Sequence, residues 1–174
     1  MAMFATILLP NFYLQAMARH QPELRDKPLA VLDDAASKAV LLQINEAAEA
    51  AGVHVGMAPS QALARCLHLI IKARAREQEQ QVNEILLHHG FTLSPFVEAT
   101  APGVCTVEFK HGQKLEEKLR RTIESLARCH LVARGGVAEN ADASFLAAHL
   151  AKPVLQIKST SDFLAPLPIE TLVL

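Results

Sequence analysis

Apolar residues fall in short runs, and polar stretches at helical spacing separate them. Phe4–Leu9 is a continuous apolar run of strand length, and Pro10 ends it. Asn11 then stands as a helix N-cap before Phe12–Arg19, where Phe12, Gln15, Ala16 and Arg19 share a face. Residues 21–28 are polar with two prolines and read as a loop. Strands are predicted at Leu29–Leu32, Lys38–Ile44 and Leu69–Lys72. Short helices fall between them at Asn45–Ala51 and Pro59–Cys66, the first closed by Gly52 and the second opened by Pro59.

Arg74–Leu87 has Val82, Ile85 and Leu86 on one helical face, and His88-His89-Gly90 suits its C-terminus. Phe91–Glu98 and Val104–Phe109 read as a hairpin around Pro102-Gly103. Proline presets one dihedral of the turn there and glycine accepts a positive φ. Gln113–Ala127 is an amphipathic helix, with Leu115, Leu119, Ile123 and Leu126 inward and Lys114, Glu117, Lys118, Arg121 and Glu124 outward. A strand at Leu131–Val137, a helix at Ala141–Leu150 with Asn140 as cap, and a strand at Val154–Ile157 follow. Ser159 caps a last helical turn.

The order is mixed α/β (α+β). The second half with the first strand fits a ferredoxin-like split βαβ sheet, and residues 11–73 form an alanine-rich helical lobe inserted after that strand. The 174 residues suffice for one domain with a small inserted lobe, and 51% of them are hydrophobic, enough for a sizeable core. No apolar run reaches membrane-spanning length, and no secretory signal opens the chain. Cys66, Cys105 and Cys129 are odd in number and widely spaced, which points to a reducing cytoplasm. The net charge of −1 argues against a domain that grips DNA by bulk phosphate neutralisation. The apolar end of the chain suggests that a further domain has been removed.

Candidate chemistry is sparse. Gly135-Gly136 follows a strand without the remaining glycines of a phosphate loop, so a tight turn is the plainer reading. His88 and His89 point about 100° apart in a helix and cannot chelate one ion as an i, i+4 pair would. Cys66 and Cys105 read as buried, inert thiols. Asp33-Asp34 reads as a turn or cap before a metal site. Glu98 and Glu108 flank the hairpin and read as a solvated cross-strand pair.

Six stretches taken together resemble the Y-family (UmuC-like) translesion DNA polymerases: ELRDKPLAV at 23–31, NEAAEAAGVHVGM at 45–57, QALARC at 61–66, SPFVE at 94–98, GVAENADASFLAA at 136–148 and FLAPLPIETL at 163–172. The resemblance implies a palm from residues 1–10 and 74–165, a fingers lobe from 11–73, and the start of a thumb at 166–174. It also implies carboxylates holding two magnesium ions, the hard cations that activate the 3′-hydroxyl and the leaving pyrophosphate.

Leu8 and Pro10 stand where the family's first acidic pattern falls, and Gly103 and Val104 stand where its second acidic pair falls. Asn45 and Ala48 stand at the triphosphate-gripping Tyr and Arg. On this basis the chain is expected not to be an enzyme, with no catalytic, nucleotide-binding or metal residue and no cofactor. It is expected to belong to the ImuB-like branch, a cytoplasmic adaptor of SOS-induced mutagenesis. The partners so implied are an error-prone replicative-type polymerase, the sliding clamp, a RecA-like protein and, weakly, DNA. The alternative is an active error-prone polymerase. Lys38, Arg65, Lys72, Arg74 and Lys110 are the candidate DNA contacts, though a solvated surface charge is the plainer reading of each.

Overall fold

The computed structural model describes residues 2–24, 26–33, 39–110 and 114–172, and the chain divides into two compact units. One is Met1–Pro10 with Asn83–Leu174; the other is Asn11–Val82. The division falls inside helix α4 (Arg76–Leu93). Lys38 and Asp34 lie outside the described residues.

The larger unit is built on a five-stranded sheet. Its strands are β1 (Met3–Leu8), β5 (Val97–Ala101), β6 (Val104–Phe109), β7 (Arg134–Ala138) and β8 (Val154–Gln156), in spatial order β5-β6-β1-β7-β8. β1 lies in the centre, antiparallel to both β6 and β7, and β7 pairs in parallel with β8. This mixed α/β sheet is the predicted class.

Alternation along the strands puts Ile7, Cys105 and Gly135 in one row and Thr6, Thr106 and Gly136 in the next, on opposite faces. The two adjacent glycines show what covers each face. A Cβ on Gly135 would lie 2.5 Å from Leu119 of α5 (Leu115–Arg128), whereas one on Gly136 would lie 2.1 Å from the backbone oxygen of Ser144 in α6 (Ala141–Leu150). Gly135-Gly136 is therefore a strand segment over which two helices close, one from each side, and not the predicted tight turn.

α4 lies on the α5 side, where Gly90 meets Val97 and Cys105. That contact explains a missed boundary. Gly90 does not end the helix with a positive φ. α4 continues through it to Leu93, so Phe91 is helical and β5 begins only at Val97. Pro102 and Gly103 form the tight β5–β6 turn, and Gly103 has φ 75 as the turn requires.

The smaller unit holds β2 (Leu29–Asp33) between β3 (Val40–Ile44), antiparallel, and β4 (Ile70–Ala73), parallel. Its helices are α1 (Phe12–Ala18), α2 (Glu46–Ala50) and α3 (Pro59–Arg65). The inserted lobe thus carries its own sheet beside its helices. Asn11 is not the side-chain cap of α1: it has φ 50 and makes no capping bond. Gln43 of β3 does that work, its Oε1 accepting the Tyr13 and Leu14 N–H groups at 3.0 and 3.2 Å. α7 (Thr160–Leu164), capped by Ser159, and a 3-10 turn at Ile169–Leu172 follow β8.

Candidate functional site

One end of the five-stranded sheet gathers the positions that the resemblance singles out. Leu8 ends β1 and pairs across the sheet with Val104, and the Leu9 N–H donates to the Gly103 carbonyl at 2.8 Å. The turn is held from the other side as well, because the Gly103 N–H donates to Asn83 Oδ1 at 2.9 Å. Leu8, Gly103 and Val104 therefore stand together. Leu8, Val104 and Ala148 form a small apolar cluster with Phe145 of α6 packed on it. Pro10 follows β1 at the same end.

Behind this cluster the same face turns polar. Thr6 Oγ1 is 2.7 Å from Ser144 Oγ and 3.3 Å from Thr106 Oγ1, and Thr106 is 2.8 Å from Thr100. Ser144 also donates to the Ala141 carbonyl at 2.8 Å. Thr6 and Ser144 are fully buried, so this hydroxyl row satisfies groups that would otherwise be stranded beneath α6. Glu98 pairs with Thr106 and Glu108 pairs with Phe4, so both carboxylates point to the face that carries Leu8 and Val104. They do not face each other: they stand in successive rows, about 7 Å apart along the strand.

On the far side of Leu8 stands Arg134, its partner on β7. Its guanidinium donates to the His149 carbonyl at the C-terminal end of α6, at 3.2 Å. The His149 ring lies 4.6 Å from that of Phe145 and is buried enough that desolvation holds its pKa below the ordinary value, with the Arg134 charge adding to the effect. On the opposite face, burial pushes the Cys105 thiol up to about 12, which leaves it protonated and inert.

The other predicted positions do not converge. Asn45 caps α2, its Oδ1 accepting the Ala48 and Leu29 N–H groups at 3.0 Å each and its Nδ2 donating to the Lys27 carbonyl at 2.7 Å. Its polar atoms are committed to the backbone, and Ala48 is fully buried. Arg74 is committed too. Its fork is held by Glu79, which is only 6% exposed, and its guanidinium carbon lies 4.4 Å over the Tyr13 ring. The hydrogen bond to Glu79 raises its pKa.

Lys72 is exposed on β4, and Arg65 is exposed at the end of α3. Lys110 lies in the other unit, with its ammonium 4.5 Å over the Phe96 ring. His89 bonds the Ile85 carbonyl at 2.8 Å and Ser125 Oγ at 3.2 Å, a structural role. Sequence reasoning missed Arg134 and Asn83. Only the β1–β7 register and the packing of the hairpin turn against α4 reveal them.

The family implies magnesium at the Leu8–Val104 end, and the residues there do not fit it. Leu, Gly and Val side chains carry no oxygen donor, and among the described residues no three His, Cys, Asp or Glu side chains converge. No step is therefore derived through the ions. No helix among the described residues is long and apolar enough to cross a membrane.

Comparison with known proteins puts these positions in context. Residues 7–149 match the model of the impB/mucB/samB family. Curated relatives named DNA polymerase IV include one from Pectobacterium atrosepticum, 29% identical over 91% of this chain and 48% of that protein. Another, from Pseudomonas syringae pv. tomato, is 29% identical over 92% of this chain and 48% of its own length. The chain thus spans about half the length of these relatives.

Among solved structures, an insertion ternary complex of Dbh DNA polymerase superposes with a TM-score of 0.85 at 18% identity, over 97% of this chain and 53% of that one. DinB from Sulfolobus solfataricus superposes with a TM-score of 0.75 at 18% identity, over 97% and 52%. These likenesses show a shared fold. The expectation that the chain is not an enzyme is overturned here, because the curated relatives are named as polymerases. Four side chains do not decide a whole activity. With 143 of its 174 residues inside the matched span (7 to 149), the chain belongs to the impB/mucB/samB family, the Y-family polymerase-like proteins.

Proposed function

We propose that this chain is the palm-and-fingers portion of a translesion polymerase that works on primer–template DNA. Residues 1–10 and 74–165 serve as palm, 11–73 as fingers, and 166–174 as the entry to a thumb. The observation that carries the proposal is the central β1 held between β6 and β7, in a fold that superposes on polymerase structures over 97% of the chain. Nucleotide incorporation is the activity to which the names of the relatives point. Glu98, paired with Thr106, is the nearer of the two hairpin carboxylates to the Leu8–Val104 end, whereas Glu108 lies opposite Phe4 at the other end of β1.

Primer extension with the complete protein, in magnesium or manganese, tests this. Incorporation by the wild-type protein is expected, and Glu98→Gln reads whether the carboxylate nearer the Leu8–Val104 end contributes to it. Absence of incorporation by the wild-type protein overturns the activity.

A second reading is favoured by the oxygen-free side chains of Leu8, Gly103 and Val104. In it the complete protein also recruits an error-prone replicative-type polymerase, the sliding clamp and a RecA-like protein in the damage response. Co-elution of the complete protein with the clamp on gel filtration is its first test, and separate elution counts against it. Both readings carry a cytoplasmic location.

A further inference from the structure

The five-stranded sheet has two edges, and they are not alike. β8, at one edge, has only three residues. β5, at the other, has five and pairs only with β6. Register decides which of its backbone groups are free. The Glu108 N–H donates to the Phe96 carbonyl at 2.9 Å, and bonded and non-bonded pairs alternate from there along the strand. Glu98 therefore turns its N–H and C=O toward Thr106, whereas Val97 and Ala99 turn theirs away from the sheet. Ala99 is exposed and Val97 half-buried. Among the described residues nothing pairs with this side of β5.

The two sides of this edge differ in chemistry. Glu98 is exposed on one face, and among the described residues no cation pairs with it. Phe96, on the same face, is 45% exposed, with Lys110 over its ring. Val97 points to the other face, toward Gly90 of α4, and the next residue of that helix, Phe91, is 56% exposed. The bulge between Ala99 and Ala101, with Pro102 beyond it, limits the open stretch to residues 97–99. A second copy of the chain fits this edge poorly. Antiparallel self-pairing through the free groups sets Val97 against Ala99 of the copy and Glu98 against Glu98, and like charges directly opposite are destabilising.

We propose that β5 is a docking edge for an extended cationic segment of a partner protein, which adds a strand to the sheet. The backbone of that segment bonds Val97 and Ala99, a lysine or arginine stands opposite Glu98, and the apolar residues on either side of it face α4. Main-chain bonds supply affinity. The pair with Glu98 supplies register, since a slip of one residue sends the cation to the α4 face. The site does not depend on nucleotide incorporation and goes beyond that reading.

The test uses a short labelled peptide of alternating valine and lysine, with binding to the complete protein read by fluorescence anisotropy. Binding is expected at about 1 mM peptide or below, with slowed hydrogen exchange at the Val97 and Ala99 amides. N-methylation of the valines, whose N–H groups face β5, is expected to abolish binding, and N-methylation of the lysines to leave it intact. Glu98→Lys is expected to weaken binding about tenfold and to make a valine–glutamate peptide the better ligand. Absence of binding at about 1 mM overturns the docking edge. Equal binding of the two methylated peptides marks charge attraction alone and overturns strand pairing, and binding unchanged by Glu98→Lys overturns the role of Glu98. A dimer of the protein alone by sedimentation, with Val97 and Ala99 protected, gives the edge to a second copy and overturns the partner segment.

Discussion

The two units both bury apolar cores but differ in how their helices are fixed. In the five-stranded unit, α5 and α6 are 14 and 10 residues long and close on opposite faces of one sheet. Burial does most of the work: Ile7, Val107, Val137, Leu119, Leu126 and Leu131 are all almost fully buried. In the smaller unit, α1, α2 and α3 have only seven, five and seven residues, too few to present long apolar faces. Single polar side chains tie its pieces together: Gln43 onto α1, Asn45 between α2 and β2, Gln61 onto Ala58, and Glu79 onto Arg74. Short elements thus gain definition from the hydrogen bonds of single side chains, and long ones from buried apolar area.

Five substitutions break or sharpen this contrast. Gly136→Ala has the largest expected effect, because its Cβ would meet backbone atoms of α6, 2.1 Å from the Ser144 oxygen and 2.3 Å from the Ala148 nitrogen. Urea denaturation should show a loss of about 4 kcal/mol or more. A loss below about 1 kcal/mol would mean that α6 is not held by close approach. Next is Glu79→Ala, which strips the Arg74 fork of its partner. A loss of about 3 kcal/mol, the low end for a broken buried pair, is expected in the same assay.

Asn45→Ala and Gln43→Ala should each cost about 1–2 kcal/mol, as the removal of a cap does. Values near zero would show that the two buried apolar clusters hold the smaller unit without these caps. The smallest effect belongs to His149. Its folded-state pKa is lowered, so its neutral form is favoured in the fold. Stability is then complete above the ordinary imidazole value of about 6.5 and falls as pH drops through the lower folded value. His149→Gln should flatten the acid limb of a thermal-midpoint profile between about pH 7 and 5. An unchanged limb would assign it to other groups.

What the sequence disclosed follows the same divide. The strong amphipathic pattern of Gln113–Ala127 located α5 nearly to its ends, and Pro102-Gly103 located the hairpin turn, because both signals are local. The misses were decided at a distance. Gly90 reads as a helix terminator, yet its missing side chain is needed where α4 touches Val97 and Cys105. Asn11 reads as a cap, yet the N–H groups of Tyr13 and Leu14 are taken by Gln43, 30 and 29 residues further along the chain. At the candidate site, the grouping of Leu8 with Val104 was implied by likeness to a family, whereas Arg134 beside Leu8 emerged only from strand register.

The Pro102-Gly103 turn also bears on how this protein can change over time. Its glycine has a positive φ, its N–H is held by Asn83, and its carbonyl is held by Leu9. Any side chain introduced at residue 103 meets a backbone conformation that costs about 1 kcal/mol or more for residues other than glycine. A carboxylate entering this position carries that cost, least for aspartate, whose short polar side chain can hydrogen-bond locally. Sequence can drift at the exposed Ala99 of β5 at little cost, whereas at residue 103 every replacement starts from a strained turn.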